Sequence, residues 1–198
     1  YRILSYDQRG HGRSFRPSSG YAPENYAEDL RLILDELGWQ KVTLVGHSMG
    51  GRNAFVFAAQ NPERVEKLVV EDIGPEGSEE SVRKIESILA KVPTPFTDKR
   101  VAKEKILSSF ENQVLAQYLY SNIAEVEPGI FDWRFSKHAI LESIRAGRDR
   151  DRWDIWEQVK CPTLLVRGEG SDELDTATYE KMMKTNSHSQ GVVLSGAG

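Results

Sequence analysis

Ser48 is the residue whose surroundings point to chemistry. It stands in Gly46-His47-Ser48-Met49-Gly50, a G-x-S-x-G pattern, between the apolar run Val42 to Val45 and the helix-compatible stretch Arg52 to Gln60. A serine hydroxyl attacks a carbonyl only when a base takes its proton, and the base works only when a third group orients it and stabilises its cation. Two aspartates are candidates for that third group. Asp72 lies 24 residues after Ser48 in Glu71-Asp72-Ile73-Gly74-Pro75, and Asp172 closes the segment Arg167-Gly168-Glu169-Gly170-Ser171-Asp172. Each follows a run that reads as a strand, at the end where parallel α/β sheets gather their ligands.

No histidine takes the place of the base so readily. His11 and His47 lie in glycine-rich turns, His138 in a helical stretch, and His188 just ahead of the last apolar run. His47 adjoins the nucleophile, but adjacent residues of an extended segment point to opposite sides, so it reads as a packing or hydrogen-bonding residue. His188 reads as a solvated loop histidine. The single cysteine, Cys161, precedes Pro162 and reads as a small buried hydrophobe; it excludes an internal disulfide, and no Cys or His cluster has zinc spacing.

The elements that must position these groups follow from the pattern. Val42 to Val45 is nearly continuous in apolar residues, as expected for a strand buried on both faces of a parallel sheet. The flanking glycines let a strained strand-to-helix turn form, and the amino end of the next helix, with unpaired N–H groups, faces any developing oxyanion. Upstream, Arg2 to Tyr6 reads as a strand feeding a glycine-punctuated loop, Asp7 to Ser14. Pro23 to Leu37 reads as a helix stopped at Gly38. From Glu76 to Val159 the chain is charged, amphipathic and poor in strand signals. Helical spacing recurs over Ser81 to Leu89, Ala102 to Tyr120 and Ser136 to Ala146, punctuated by Pro93, Pro95 and Pro128-Gly129. About 80 residues is far more than a crossover between parallel strands requires. Trp133, Phe135, Trp153 and Trp156 in this segment are read chiefly as anchors of the helical insertion, as large aromatics dominate core contacts.

Composition narrows the partners. The 198 residues carry a net charge of −4 with no basic stripe, which argues against nucleic acid and leaves small organic molecules as the expected partner. No apolar stretch reaches the length of a membrane span and no signal-peptide pattern opens the chain. The cysteine scarcity fits a reducing cytosol.

Taken together, a strand, DQRGHGRS, an amphipathic helix and VTLVGHSMGG resemble the middle of the α/β-hydrolase fold, in its serine esterase-like branch. RVEKLVVEDI resembles the strand after the nucleophile helix, CPTLLVRGEGSDEL the next core strand with its acid-bearing loop, and GVVLSGAG the last strand. The resemblance implies a mostly parallel sheet flanked by helices with a helical cap insertion: core over 1–75, cap over 76–157, core again over 158–198. It covers an interior portion of the family domain. Missing from it are the amino-terminal strands, a His-Gly loop bearing half of the oxyanion hole, and the catalytic histidine, expected at position 199. As written, the polypeptide is expected to be unstable and inactive.

What the resemblance implies for the site is a serine hydrolase cleaving a carboxylic ester or related acyl bond through an acyl-enzyme. Ser48 attacks, the Met49 amide holds the oxyanion, and Asp172 or Asp72 orients the histidine. Most α/β hydrolases use the position of Asp172, although RGEGSD is one residue longer than the commonest Gly-x-x-Asp spacing; some esterase branches use a segment similar to that of Asp72. No cofactor or metal is required. Serine at the elbow argues against the epoxide hydrolase and haloalkane dehalogenase branches, which use aspartate. Thioesterase, carbon–carbon bond hydrolase and perhydrolase remain as rivals of the same fold, and a non-catalytic ligand-binding protein as a rival of another class. The oligomeric state is left open.

Overall fold

The computed structural model describes residues 2–197, which divide into two compact units. One comprises the residues up to Gly20 together with Glu80–Glu142; the other comprises Tyr21–Glu79 together with the residues from Ser143 onward.

The second unit carries a four-stranded, wholly parallel sheet in the order β1-β2-β5-β6, formed by β1 (Val42–His47), β2 (Val65–Glu71), β5 (Thr163–Gly168) and β6 (Ser189–Leu194). Helices α1 (Pro23–Glu36), α2 (Met49–Gln60), α7 (Trp153–Trp156) and α8 (Thr176–Thr185) belong to the same unit. Pro23 at the first helical position presets the backbone of α1, and Gly38 just beyond its end has φ +66. The helix buries Tyr26, Leu30 and Leu34. Every residue of α2 from Gly51 to Ala58 is buried, with Phe55, Val56 and Phe57 in the core along with Leu68, Val70 and Leu165 of the sheet. Trp156 meets Phe55 edge-on at 5.8 Å between centroids, and its indole N–H donates to the Met182 carbonyl at 2.9 Å.

The first unit is helical with one hairpin. Its elements are α3 (Glu79–Ala90), α4 (Lys99–Ser109), α5 (Gln113–Ser121), the antiparallel pair β3 (Ile123–Glu127) and β4 (Ile130–Trp133), and the first part of α6 (Lys137–Arg148). A separate apolar cluster of Ala102, Ile106, Ala116, Leu119, Ile123 and Trp133 holds them together, and Trp133 stacks on Phe135 at 4.9 Å.

Several expectations are revised. Arg2 to Tyr6 forms no strand. Ile3, Leu4 and Tyr6 give strand propensity, but a strand exists only through a neighbour's hydrogen bonds, and this segment joins no ladder. Strand β1 is not buried on both faces: Val45 is 67% exposed, because β1 is an edge of the sheet among the described residues and α2 covers one face only. The stretch Ala102 to Tyr120 is two helices. Phe110 turns into the core in an extended conformation, and the Asn112 side chain accepts from the Leu115 amide at 3.0 Å to start α5 afresh. The region read as poor in strands contains the β3–β4 hairpin, closed by Gly129 at φ +75.

Candidate active site

Ser48 sits between β1 and α2 with φ 50 and ψ −121, a backbone conformation that non-glycine residues avoid. Two backbone bonds hold it there. Its N–H donates to the Glu71 carbonyl of β2 at 2.9 Å, and its carbonyl accepts from the Arg52 N–H at 3.1 Å, closing the first turn of α2. The surrounding glycines have distinct reasons. A Cβ on Gly46 would run into the Gly50 carbonyl, and one on Gly51 would lie 2.8 Å from the Gly46 oxygen and 2.9 Å from Ile73 Cγ2. Strand and helix can cross this closely only without side chains there. Gly50 departs from the sequence reading, since a Cβ there meets nothing within 4 Å; its carbonyl is what makes the close contact.

Met49 is the first residue of α2, so its N–H is one of the unpaired amides of the helix amino end. Its sulfur accepts a hydrogen bond from the buried Ser143 hydroxyl at 3.0 Å. Nothing in the sequence spacing marks Ser143, which lies 94 residues away and is joined to the elbow only by folding.

Asp72 is placed by the neighbouring strand. In the β1–β2 ladder His47 pairs with Glu71, so Ser48 and Asp72 each stand one residue beyond the last rung, on adjacent strands and at the same edge. Asp72 has φ 56, and its N–H donates to the Val166 carbonyl of β5 at 2.9 Å. Its Oδ1 is buried with no hydrogen-bond partner among the described residues. Such an acceptor is costly unless a donor reaches it.

Asp172 lies in the loop after β5 and is exposed. Around it, the Ser171 hydroxyl oxygen accepts from the Glu173 and Leu174 amides, both at 3.1 Å, and Glu173 pairs with Arg148 at 2.6 Å. The turn after β6 reaches the same region of the sheet: the Glu169 carboxylate accepts from the Gly196 N–H at 2.9 Å and the Ser195 hydroxyl at 2.8 Å, which holds it below the ordinary carboxylate value.

His47 is exposed at the end of β1 rather than packed, since alternation turns it to the uncovered side. His11 and His138 belong to the other unit: His11 Nδ1 lies 3.1 Å from the Arg9 carbonyl, and His138 Nε2 lies 2.9 Å from the Ser18 carbonyl. His188 is exposed in the turn before β6. Cys161 is buried, and burial pushes its thiol up from the ordinary value. Among the described residues no group of His, Cys, Asp and Glu is placed to hold a metal ion, and no helix is long and apolar enough to cross a membrane.

Behind the elbow lies a group of arginines that the sequence reading passed over. Arg52 is 3% exposed; Arg148 and Arg152 act on it as like charges, and Glu173 and Asp149 as countercharges. Burial, and then the two neighbouring guanidinium groups, pull Arg52 down to about 9. The signal available in sequence was a charged residue inside an otherwise apolar helix, MGGRNAFVFAA.

Comparison with known proteins places this geometry. A family model described as the alpha/beta hydrolase fold matches residues 1–198. The chain belongs to the α/β-hydrolase fold family. Among its α/β-hydrolase relatives, the sn-1-specific diacylglycerol lipase ABHD11 of Mus musculus is 34% identical over 209 residues, covering 100% of this chain and 65% of the mouse protein. The 2-(acetamidomethylene)succinate hydrolase of Mesorhizobium japonicum is 27% identical and covers 100% of this chain and 71% of its own length. A solved structure of a marine microorganism esterase superposes with a TM-score of 0.82 at 27% identity, over 97% of this chain and 76% of that one. The chain thus spans about two thirds of the length of these α/β hydrolases.

Proposed function

We propose that this α/β-hydrolase chain carries the nucleophile and acid of a serine hydrolase that cleaves a carboxylic ester or related acyl bond. The observation that carries the reading is Ser48 held at φ 50 on a strand-to-helix turn, next to a buried Asp72 carboxylate oxygen that lacks a donor. Strain of this kind at a polar residue is retained where it serves function. The names of the lipase and esterase relatives point to the same bond class.

In this reading Ser48 Oγ attacks the acyl carbonyl while a histidine, expected beyond the β6 turn as in the family, takes the serine proton. The tetrahedral oxyanion is held by the Met49 N–H. The histidine returns the proton to the leaving alcohol, and water repeats the sequence to free the acid. Asp72 is assigned as the group that orients the histidine, because its unpartnered Oδ1 is an acceptor suited to a ring N–H. Asp172, exposed in its loop, is read as a loop residue. Residues 76–157 are read as the family's cap.

Reaction of the full-length protein with a fluorophosphonate probe tests the assignment. Labelling is expected in the wild type and in His47→Ala, and is expected to vanish in Ser48→Ala. Failure of the folded wild type to label would reject the serine hydrolase reading.

A further inference from the structure

We infer that Arg52 is a positioning residue that fixes Asp72 with respect to Ser48; the inference rests on the roles assigned above to those two residues. Its backbone N–H donates to the Ser48 carbonyl, so its main chain is one helical turn from the nucleophile. Its side chain reaches the loop that leaves Asp72. Nη2 donates to the Gly74 carbonyl at 2.7 Å and the Glu76 carbonyl at 3.2 Å, and Nη1 donates to the Gly147 carbonyl.

Gly74 is two residues beyond Asp72, and the rest of that loop is tied as well. The Arg152 N–H donates to the Pro75 carbonyl at 2.8 Å, the Gly77 N–H to Asp151 Oδ1 at 2.8 Å, and the Ser78 N–H to the Arg148 carbonyl at 3.2 Å. A residue at φ 56 keeps that conformation only where its surroundings over-determine it. The bond from the Asp72 N–H to Val166 does so on one side, and Arg52 does so on the other.

The chemistry of the side chain fits the task. Three carbonyls approached from two directions need a forked planar donor, which an ammonium cannot supply. A merely space-filling role would be met better by an apolar side chain, since an arginine this buried and this close to other arginines is destabilising. Arg52 therefore spends folding stability on holding the Asp72 loop.

The test is a double-mutant cycle in the full-length protein with p-nitrophenyl acetate as substrate. Arg52→Lys keeps the charge and loses the fork. It is expected to lower kcat about tenfold with KM changed less than about threefold, and to add less than about twofold in an Asp72→Asn background. Equal losses in both backgrounds would overturn the inference. Should Arg52→Lys fail to fold, Arg52→Gln keeps a shorter planar donor directed at the same loop. The same dependence on Asp72 is then expected, and equal losses in both backgrounds would overturn the inference. Asp72→Asn alone separates the two readings. Normal turnover there, with Ser48→Ala inactive, rejects Asp72 as the acid and Arg52 with it; a large loss there, with Arg52→Lys unaffected, rejects Arg52 only.

Discussion

Ser48 and Asp72 leave adjacent parallel strands one residue past the same rung, and the Ser48 N–H reaches back across that rung to the Glu71 carbonyl at 2.9 Å. Both have positive φ, 50 and 56, and no other non-glycine residue among those described does. The two residues share one edge of the sheet and the positive-φ backbone region.

Ser48→Gly separates chemistry from strain. The substitution removes the hydroxyl and the steric conflict together. Probe labelling should vanish, while stability to urea should rise by about 1 kcal/mol, the lower end of the strain expected for such a conformation. Equilibrium unfolding beside Ser48→Ala checks this; an equal stability of the two variants would count against stored strain.

The two aspartates should differ sharply. Asp72→Asn is expected to lower kcat by about 10⁴, as loss of an orienting carboxylate does in serine hydrolases. Asp172→Asn should leave kcat within about threefold, because it changes an exposed loop side chain. Steady-state kinetics with an activated ester on both variants decides between them, and the reverse pattern would transfer the role to Asp172.

The elbow glycines should also separate. Gly51→Ala places a methyl 2.8 Å from the Gly46 carbonyl oxygen and should cost about 2 kcal/mol through overpacking. Gly50→Ala meets nothing within 4 Å and should gain about 0.5 kcal/mol from the lower entropy of the unfolded chain. Denaturant midpoints of the two variants measure the contrast.

Acid should loosen the amino end of α8. The Asp175 carboxylate accepts from the Thr178 N–H at 2.9 Å, which holds its carboxyl below the ordinary value. A lowered folded-state value means that the stabilisation is present above the unfolded-state pKa and is lost as pH falls through the folded one. Hydrogen exchange at the Thr178 amide should therefore lose protection between about pH 5 and about pH 2, beyond the intrinsic pH dependence of exchange. Asp175→Asn, which keeps an acceptor at the cap, should flatten that loss.

Much of this was legible in the chain. The strand and helix around Ser48, the helix from Pro23, and the strands around Val65, Thr163 and Val192 were marked by apolar runs and by glycine and proline at their ends. Local preference and global fold agree there. Misreadings fell where pairing or packing decides. Arg2 to Tyr6 has a strand-like composition but joins no ladder, the β3–β4 hairpin is closed by a glycine turn inside a charged segment, and the helix over Ala102 to Tyr120 is broken by Asn112 capping a new start.

The sequence by itself determined the strand-to-helix turn at Ser48, because its glycines and the order of strand and helix are local and a backbone turn needs only its neighbours. It offered two candidate acids, Asp172 by the family's commonest position and Asp72 by its local segment, nearly evenly matched. Tertiary structure put Asp72 beside Ser48 on the next strand and buried its oxygen, and left Asp172 in solvent. It also brought Ser143 to Met49 and the Arg52 fork to the Asp72 loop. Strand order, burial and contacts between residues tens of positions apart are properties of the packed chain, and no spacing within one segment encodes them.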